Sequence, residues 1–306
     1  MKKIAFILHG KIKNRQKLMN EVYSVFNDSY DISFLTTEHA GHSIELSAKA
    51  AEEGFNYIIS VGGDGSLNEV ANGIMQAKSR NTSLDVKIGV LPHGTGNDFV
   101  KTVKSPHNCT GLKRLLDEDS YKEIDLGFVE FTNPQGLASN RYFINITDIG
   151  MGGVIAEKLS RSSKMLGPTL TYQMSIISTL ATYRNQPVKA VADDFTYEGK
   201  VMNFIVANGK YFGSGMGVAP DAEIDDAKFT VVIVAEISLL DYLQHLGEIK
   251  ECKQIDHPQV LYKHAKYVAV DSLAAPQPID MDGEFIGYSP MKITLVPKAL
   301  KFLAPL

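Results

Sequence analysis

The first third of the chain alternates between short apolar runs and stretches with helical periodicity. The apolar runs predict strands at 4–8, 31–37, 57–61 and 86–91, and the helical stretches predict helices at 15–26, 43–53 and 67–77. Strands that alternate with helices along the chain indicate βαβ units and a mostly parallel sheet. We therefore predict an α/β domain in this part of the sequence.

The pattern changes near residues 125–130, where strand-like runs replace the alternation. These runs predict strands at 142–147, 188–192, 202–207, 229–234, 267–270 and 291–296. Turn dipeptides such as Asp282-Gly283 separate the runs, which favours antiparallel hairpins. Two helical stretches, at 153–161 and 169–184, interrupt this half of the chain. The second half is therefore predicted to be rich in antiparallel β-structure.

The strand at 57–61 runs directly into a glycine-rich segment at 62–66, Gly-Gly-Asp-Gly-Ser, and a helix follows. Glycines let a ligand approach the backbone, and free N–H groups at a helix N-terminus bind anions such as phosphate. Asp64 within the segment suits a phosphate where Mg²⁺ bridges the two groups. The alternative is structural, because Ser66 and Glu69 fit a helix capping box. Capping does not need three glycines, so we favour phosphate binding.

A second glycine loop follows the next predicted strand, with the sequence Pro-His-Gly-Thr-Gly-Asn-Asp-Phe at 92–99. Thr95 can donate its hydroxyl to a phosphate or a base edge, whereas Asn97 and Asp98 can simply cap the next helix. Open α/β sheets bind their ligands at the carboxyl ends of neighbouring strands. Two such loops on consecutive βα units therefore predict one phosphate site more specifically than either loop alone.

Composition and absent motifs exclude several classes of protein. The chain has 306 residues, enough for two domains, and its net charge of −4 disfavours nucleic acid as a partner. The sequence contains neither the G-x-x-x-x-G-K-[ST] motif of P-loop NTPases nor the G-x-G-x-x-G fingerprint of dinucleotide-binding domains. The predicted phosphate site therefore belongs to neither of these two classes.

Cysteine content and hydropathy bear on the compartment. The chain has only two cysteines, Cys109 and Cys252, and hence no disulfide framework, which favours a reducing compartment. No apolar run reaches the roughly 18 residues of a membrane-spanning helix. We predict a cytoplasmic protein whose contact with the inner face of the membrane is peripheral. A homodimer is compatible with the sequence.

The two glycine loops carry a resemblance to a known family. Residues 62–69, Gly-Gly-Asp-Gly-Ser-Leu-Asn-Glu, taken together with 92–99, strongly resemble the catalytic domain of diacylglycerol kinases. The likeness is closest to the soluble bacterial branch of lipid kinases, and it extends over nearly the whole chain. Further segments that resemble the family are 37–42, 164–168, 224–226 and 282–284.

The resemblance implies a two-domain fold, with a domain related to NAD kinase and phosphofructokinase. Residues 1–128, joined by about 290–306, would form an α/β domain that binds ATP, and 129–289 would form a β-sandwich domain for the lipid. The implied reaction is ATP- and Mg²⁺-dependent phosphorylation of a lipid hydroxyl at the membrane surface, most simply of diacylglycerol to phosphatidic acid. The alternatives are an NAD kinase, a sphingoid-type lipid kinase and a non-catalytic lipid or nucleotide sensor.

The resemblance also implies which residues form the site, and Asp64 has more than one role in it. The residues implied to contact ATP are Thr37, Gly62, Gly63, Asp64, Gly65, Ser66, Asn68, Gly94 and Thr95. The residues implied to hold metal ions are Asp64, Asp98 and Asp125 for the catalytic Mg²⁺, and Asp226 with the backbone carbonyls of Glu223 and Lys228 for a structural cation.

The base that accepts the proton of the lipid hydroxyl is implied to lie at 282–284. Asp282 is the preferred residue and Glu284 is the alternative. Residues two apart share a face in an extended strand, but they would not share one in the turn that Asp-Gly favours. An Asp-Gly pair is also a strong signal for a surface hairpin with no catalytic role.

The sequence departs from the family pattern in three places. The first strand runs into His-Gly-Lys-Ile-Lys at 9–13, where a loop of the Asn-Pro…Ser-Gly-Lys type is usual. Either Lys11 or Lys13 could neutralise a phosphate there. Ser66 replaces a threonine and keeps the hydroxyl group. Ala227 replaces a glycine in the acidic turn, which bears on the structural cation.

Overall fold

The protein divides into two compact units in its computed structural model. Unit 1 comprises Met1–Asp125 and Pro297–Leu306, and unit 2 comprises Leu126–Val296. The sequence predicts the corresponding breaks after residues 128 and 289, a few residues away. The residues that the structure describes are 1–161, 179 and 182–306.

Unit 1 alternates strands and helices, as its hydrophobic pattern predicts. Its strands are β1 (Lys2–Leu8), β2 (Tyr30–Thr36), β3 (Tyr57–Gly62) and β4 (Lys87–Pro92). Its helices are α1 (Arg15–Phe26), α2 (His42–Glu52), α3 (Asp64–Arg80), α4 (Asp98–Val103) and α5 (Cys109–Asp117). Each strand and helix predicted between residues 4 and 91 is present, with ends that differ by at most three residues.

The strands of unit 1 form a parallel sheet in the order β2-β1-β3-β4. The end of a long later strand, β17 (Glu284–Leu303), pairs in parallel beside β4. β1 is buried on both faces from Ile4 to Leu8, because helices cover both sides of the sheet. On one side, the ring of Phe6 packs edge-on against Phe26 of α1, with ring centroids 5.4 Å apart. Because all strands run the same way, β3 and β4 end at the same edge.

Unit 2 consists mainly of strands. In chain order, its strands and helices are β5 (Tyr121–Thr132, which begins in unit 1), β6 (Ala138–Phe143), β7 (Ile146–Gly150), α6 (Met151–Arg161), β8 (Gln186–Ala192), β9 (Thr196–Val201), β10 (Asn203–Ala207), β11 (Tyr211–Phe212), β12 (Met216–Gly217), β13 (Phe229–Val234), α7 (Leu239–Gln244), α8 (Leu246–Lys250), β14 (Val260–Ala265), β15 (Tyr267–Ser272), β16 (Pro278–Met281) and the first part of β17. The predicted segment 164–168 and most of the predicted helix 169–184 lie outside the described residues.

Two runs of antiparallel strands build unit 2. One run has the order β14-β13-β10-β7-β16-β17, and the other has the order β9-β8-β15-β17. Ile149 and Phe204 from the first run share one apolar core with Val188 and Val268 from the second. Two antiparallel layers around one core form a β-sandwich-like domain, as the resemblance implies. In the part of the chain that the structure describes, no helix has both the length and the apolar character needed to cross a bilayer.

One predicted strand of unit 2 is wrong. The sequence predicts a single strand at 142–147, whereas the chain forms β6 and β7 with a break at Ile144 and Asn145. The backbone N–H groups of these two residues donate to the carboxylate of Asp282, at 2.9 and 3.0 Å, instead of to a neighbouring strand. A side chain far along the sequence ends the strand, so the local hydrophobic pattern gives no sign of it.

Candidate functional site

The two glycine loops lie side by side at the carboxyl ends of β3 and β4. The N–H of His93 donates to the carbonyl of Gly62 over 2.7 Å, just where both strands end. A Cβ atom on Gly94 would lie 2.4 Å from the Cα atom of Gly63, so only glycine fits without a shift of the backbone. The prediction that these two loops meet is confirmed.

The side chain of Asp64 ties the two loops together. Its Oδ2 atom accepts the backbone N–H of Asp98 at 3.1 Å, and its Oδ1 atom accepts that of Phe99 at 3.2 Å. Both donors lie in the first turn of α4, where N–H groups have no partner within the helix. Asp64 is also the first residue of α3. One carboxylate therefore joins the beginnings of two helices.

Negative charge is concentrated where the loops meet. A Cβ atom on Gly96 would lie 3.2 Å from Oδ2 of Asp64 and 3.3 Å from Oδ2 of Asp98, so the two carboxylates flank the same residue. Burial, followed by the charge of Asp98, raises the pKa of the Asp64 carboxyl, although the N–H bonds partly oppose this effect. A cation bound by both carboxylates would relieve their repulsion. The pair therefore fits Mg²⁺, which prefers carboxylate and phosphate oxygens.

Asp125, the third residue predicted for the catalytic magnesium site, has a different environment. Its side chain is fully buried, and its Oδ1 atom accepts the N–H of Lys298 at 2.8 Å. Among the described residues, no three His, Cys, Asp or Glu side chains are placed so that they could hold one metal ion. Of the three predicted carboxylates, only Asp64 and Asp98 are seen together, and a role for Asp125 stays a prediction.

Three hydroxyl-bearing residues predicted to contact ATP lie in or beside the loops at this edge of the sheet. Thr37 follows β2, and its Oγ1 atom accepts the N–H of Gly10 at 2.9 Å, which ties the loop after β1 to the end of β2. Ser66 lies in the first turn of α3, where its Oγ atom would be 2.4 Å from a Cβ atom on Gly62. Thr95 is exposed in the second loop.

Asn68 is placed differently from the other residues predicted to contact ATP. Its side chain is buried within α3, and its Oδ1 atom accepts a hydrogen bond from Nδ2 of Asn72 at 3.1 Å. The structure therefore gives Asn68 a packing and hydrogen-bonding role inside the unit. The predicted contact of this side chain with the nucleotide is not supported by its position.

Glu69 does not close a capping box with Ser66. The N-cap residue of α3 is Gly63, and no side chain caps this end of the helix. The Glu69 carboxylate instead accepts the N–H of Gly41 at 2.8 Å and that of Ser43 at 3.2 Å, at the beginning of α2. The structural alternative for this motif is therefore wrong, and Glu69 holds the neighbouring helix beside the glycine loop.

Three lysines bear on the charge near the loops. Lys11 and Lys13, the two residues considered for phosphate neutralisation, are both exposed. Lys101 was not among the predicted residues, yet its ammonium group lies 2.9 Å from Oδ1 of Asp98. Its position three residues after Asp98 on a helix is the signal that could have revealed it.

The acidic turn predicted to hold a structural cation is organised by one of its own residues. Oδ1 of Asp226 accepts the N–H of Lys228 at 3.2 Å, and the Lys228 ammonium group lies 3.4 Å from Oδ2. Ala227 between them has a φ of 59°, a left-handed conformation that glycine adopts more readily. The turn therefore keeps a glycine-like shape, and a cation held by Glu223, Asp226 and Lys228 stays a prediction.

Asp282 and Glu284 have unlike environments. Asp282 and Gly283 form the two-residue turn between β16 and β17, with φ angles of 49° and 84°. The buried Asp282 carboxylate accepts the backbone N–H groups of residues 144, 145 and 146, at 2.9 to 3.0 Å. The Glu284 carboxylate is 40% exposed and lies 2.9 Å from Arg141. The hairpin alternative is right about the turn, in which Gly283 is exposed and Asp282 is buried.

Comparisons with known proteins agree with this geometry. Residues 3–129 match the family model described as the diacylglycerol kinase catalytic domain, and residues 147–304 match the YegS C-terminal NAD kinase beta sandwich-like domain. The second of these models matches more than half of the chain, so the chain belongs to the family with this beta sandwich-like domain. Together with the catalytic-domain match, it makes the chain a lipid kinase that transfers a phosphoryl group from ATP, which sets aside the non-catalytic sensor.

Similar proteins align with this chain over its full length. A diacylglycerol kinase of Staphylococcus haemolyticus is 27% identical over 310 residues, which cover 100% of this chain and 89% of the relative. A diacylglycerol kinase of Staphylococcus aureus is also 27% identical, and the match covers 100% of this chain and 93% of the relative. A solved structure of a diacylglycerol kinase from Bacillus anthracis shares the fold, with a TM-score of 0.72 at 19% identity. The match covers 99% of this chain and 97% of that chain.

We expect Asp282→Ala to destabilise unit 2 strongly. The substitution leaves three backbone N–H groups in the interior without their acceptor. An unsatisfied buried donor costs about 1–3 kcal/mol, so we expect a total loss of about 3 kcal/mol or more. Denaturant unfolding measures the loss as a change in the free energy of unfolding. Glu284→Ala, at a half-exposed residue of the same turn, is the control, and equal stability of the two variants would contradict a structural role for Asp282.

Proposed function

We propose that this kinase phosphorylates the free hydroxyl of diacylglycerol with MgATP and forms phosphatidic acid. The observation that supports it most is the pair of glycine loops at the ends of β3 and β4, which the Asp64 carboxylate holds together. The relatives from two Staphylococcus species, which are named diacylglycerol kinases, support diacylglycerol as the acceptor.

The glycine loops would hold the phosphates of ATP through main-chain N–H groups. Gly63 and Gly94 approach each other so closely that any side chain would fill the space, and this leaves the backbone accessible. The first loop leads into α3, a helix of 17 residues, whose N-terminal donors and dipole favour an anion. The hydroxyl groups of Ser66 and Thr95 would add donors. Phosphoryl transfer depends mainly on such positioning and charge neutralisation.

Asp64 and Asp98 are the residues that we propose for Mg²⁺. Their carboxylates flank Gly96, and the pKa of Asp64 is raised by burial first and then by the charge of Asp98. When bound, Mg²⁺ neutralises charge on the transferring phosphoryl group. The N–H bonds from Asp98 and Phe99 fix the orientation of the Asp64 carboxylate, so it needs little reorganisation to serve as a ligand.

Glu284 is the residue that we propose to accept the proton of the lipid hydroxyl. A general base must come within hydrogen-bonding distance of the hydroxyl, so it needs an accessible oxygen. The Glu284 carboxylate is half-exposed and is oriented by Arg141, whereas the Asp282 oxygens accept three internal N–H groups. We therefore assign Asp282, the preferred base at the outset, to holding the turn that carries Glu284.

The choice of acceptor is tested by ATP consumption with different acceptors. We expect turnover with diacylglycerol in mixed micelles, none with NAD and none without an acceptor. Sphingosine in the same micelles tests the sphingoid alternative, and radiolabelled ATP identifies the lipid product. Turnover with NAD alone, or with sphingosine and not diacylglycerol, would overturn the acceptor assignment and leave the family assignment intact.

We expect Asp64→Asn to lower turnover by about a hundredfold or more, because the variant loses the charge that faces the metal ion. Asparagine keeps one oxygen that can accept the N–H of Asp98 or Phe99, so the fold should persist. The measurement is the rate as a function of Mg²⁺ concentration, with the melting temperature as a check on folding. Asp31→Asn, at an exposed position in β2, is the control. A normal rate in Asp64→Asn would remove the metal proposal.

We expect Glu284→Gln to lower kcat by about a hundredfold with little change in KM, because glutamine keeps the shape and cannot accept the proton. Asp282→Asn serves as the comparison, since it keeps one acceptor oxygen for the 144–146 backbone. We expect Asp282→Asn to lose mainly stability and little activity. If Asp282→Asn folds normally and is far less active than Glu284→Gln, the two roles are the reverse of those proposed.

A further inference from the structure

Unit 2 contains a second pair of carboxylates that the proposed reaction does not use. Asp148 lies on β7 and Asp280 lies on β16, and the two residues are direct partners in the antiparallel pairing of these strands. Side chains of direct partners project from the same face of a sheet and lie close together. Asp148 is 0% exposed and Asp280 is 4% exposed. Both carboxyl groups are therefore held next to each other in the protein interior.

Three oxygen atoms of this pair have no hydrogen-bond partner. Within the described residues, both carboxylate oxygens of Asp148 and Oδ1 of Asp280 are buried and make no hydrogen bond. The N–H of Gly153 and the amide of Asn203 are near Asp148, but neither is placed for a full bond. Native proteins rarely leave buried acceptors in this condition. These oxygens are therefore acceptor sites that a proton on one of the two carboxyls could fill.

The beginning of α6 closes the space over the pair. A Cβ atom on Gly152 would lie 2.3 Å from Oδ1 of Asp148, and a Cβ atom on Gly153 would lie 1.9 Å from the carbonyl of Pro278. The two glycines let the helix lie directly on β7 and β16. Water is excluded from the carboxylates by this close approach, and two negative charges without water repel each other strongly.

The groups that face the pair are mostly acidic or neutral. Asp282 and Glu284, in and just after the turn that follows Asp280, carry negative charges that raise the pKa of Asp280. Tyr183 lies near Asp148. The Tyr183 hydroxyl is also buried without a partner in the described part of the chain. From the strand on the other side of β7, Asn203 is neutral. Among residues 1–161, 179 and 182–306, no cation is one of the groups that act on these carboxyls.

The charged residues of α6 are occupied elsewhere. Glu157 accepts from Arg161 at 2.7 Å, and the Lys158 ammonium group donates to Thr179 at 3.0 Å. Burial raises the pKa of both Asp148 and Asp280, and the charge of Asp148 raises the pKa of Asp280 further. Neutralisation of one carboxyl by a proton is the simplest way to remove the repulsion.

We propose that Asp148 and Asp280 bind one proton between them, and that this proton positions the Asp282–Glu284 turn for the kinase reaction. The proton would sit as an O–H···O bond between the two carboxyls, which fills acceptor sites that otherwise have no donor. A metal ion fits less well, because the beginning of α6 presents N–H groups and the positive end of the helix dipole at Asp148.

The connection to the turn is short and covalent. Asp280 is two residues before Asp282, whose carboxylate holds the backbone of 144–146, and Asp148 is two residues after that backbone. Loss of the proton places two negative charges on β7 and β16 at the point where they pair. We expect the strands to separate locally and the turn that carries Glu284 to shift. Asp148 and Asp280 are therefore positioning residues, and this second step rests on the proposed function.

The proton itself can be tested without any assay of activity. Because the folded state binds the proton more tightly than an unfolded aspartate, with its pKa of about 4, the stability of the wild type should fall as pH rises from about 4 through the folded-state pKa of Asp148, which burial raises to about 7. Asp280→Asn places an amide donor where the proton would be, so its stability should change less with pH. Asp271→Asn, at an exposed position on β15 of the same unit, should follow the wild type.

Infrared spectroscopy in heavy water gives a second, direct measurement. We expect a carbonyl stretching band of a protonated carboxyl in the wild type near neutral pH, and its absence in Asp280→Asn. If the band is missing and both proteins show the same slope of stability with pH, the pair does not hold a proton. Stabilisation by Na⁺ or Mg²⁺ that disappears in Asp280→Asn would instead identify a cation site and overturn the proposal.

Activity tests the positioning step separately. We expect the wild type to lose activity at alkaline pH, and Asp280→Asn to keep its activity to higher pH, with the shift appearing in kcat and not in KM for ATP. An unchanged alkaline limb in Asp280→Asn, with the proton signal removed, would reject the positioning role and leave the proton site. If no lipid acceptor is phosphorylated by the wild type, the proposed function fails, while the infrared result still decides the proton site.

Discussion

The contact between the Asp64 carboxylate and the N–H groups of Asp98 and Phe99 is the constraint on which the proposed nucleotide site depends. Each of the two glycine loops could form a turn without the other. Only their connection brings the ends of β3 and β4 into one surface of main-chain donors. Since the connecting group is also an acid placed beside Asp98, the same side chain sets the loop geometry and would contribute to the proposed cation site.

This arrangement explains why the proposed phosphate site would need so few side chains. Gly63 and Gly94 approach so closely that their backbones touch, and Glu69 braces the beginning of α2 from behind the first loop. Rigid support of this kind suits phosphoryl transfer, in which catalysis depends on fixed dipoles more than on covalent chemistry. In unit 2, the Asp282 carboxylate has a comparable role, because it fixes the backbone between β6 and β7 and frees Glu284 for contact with solvent.

The sequence predicts local elements well where both faces of an element are buried. The run at 229–234 matches β13 in full, because it is apolar at five of its six positions and is buried on both faces of the sheet. Prediction from the sequence fails where a distant side chain interrupts a strand, as Asp282 does between β6 and β7. The meeting of the two glycine loops follows from the topology of parallel sheets. The partners of Glu69 and Lys101, and the burial of Asn68, depend on packing between helices, which no local pattern encodes.

The long strand β17 belongs to both units, and this has a consequence for the order of folding. Phe302 is fully buried in unit 1 and packs edge-on against Phe99, with ring centroids 5.2 Å apart, and Leu303 joins the same apolar core as Phe6. During synthesis on the ribosome, unit 1 therefore lacks an edge strand and part of its interior until residues beyond 297 have emerged. The domain that is translated first cannot be the first one to be completed.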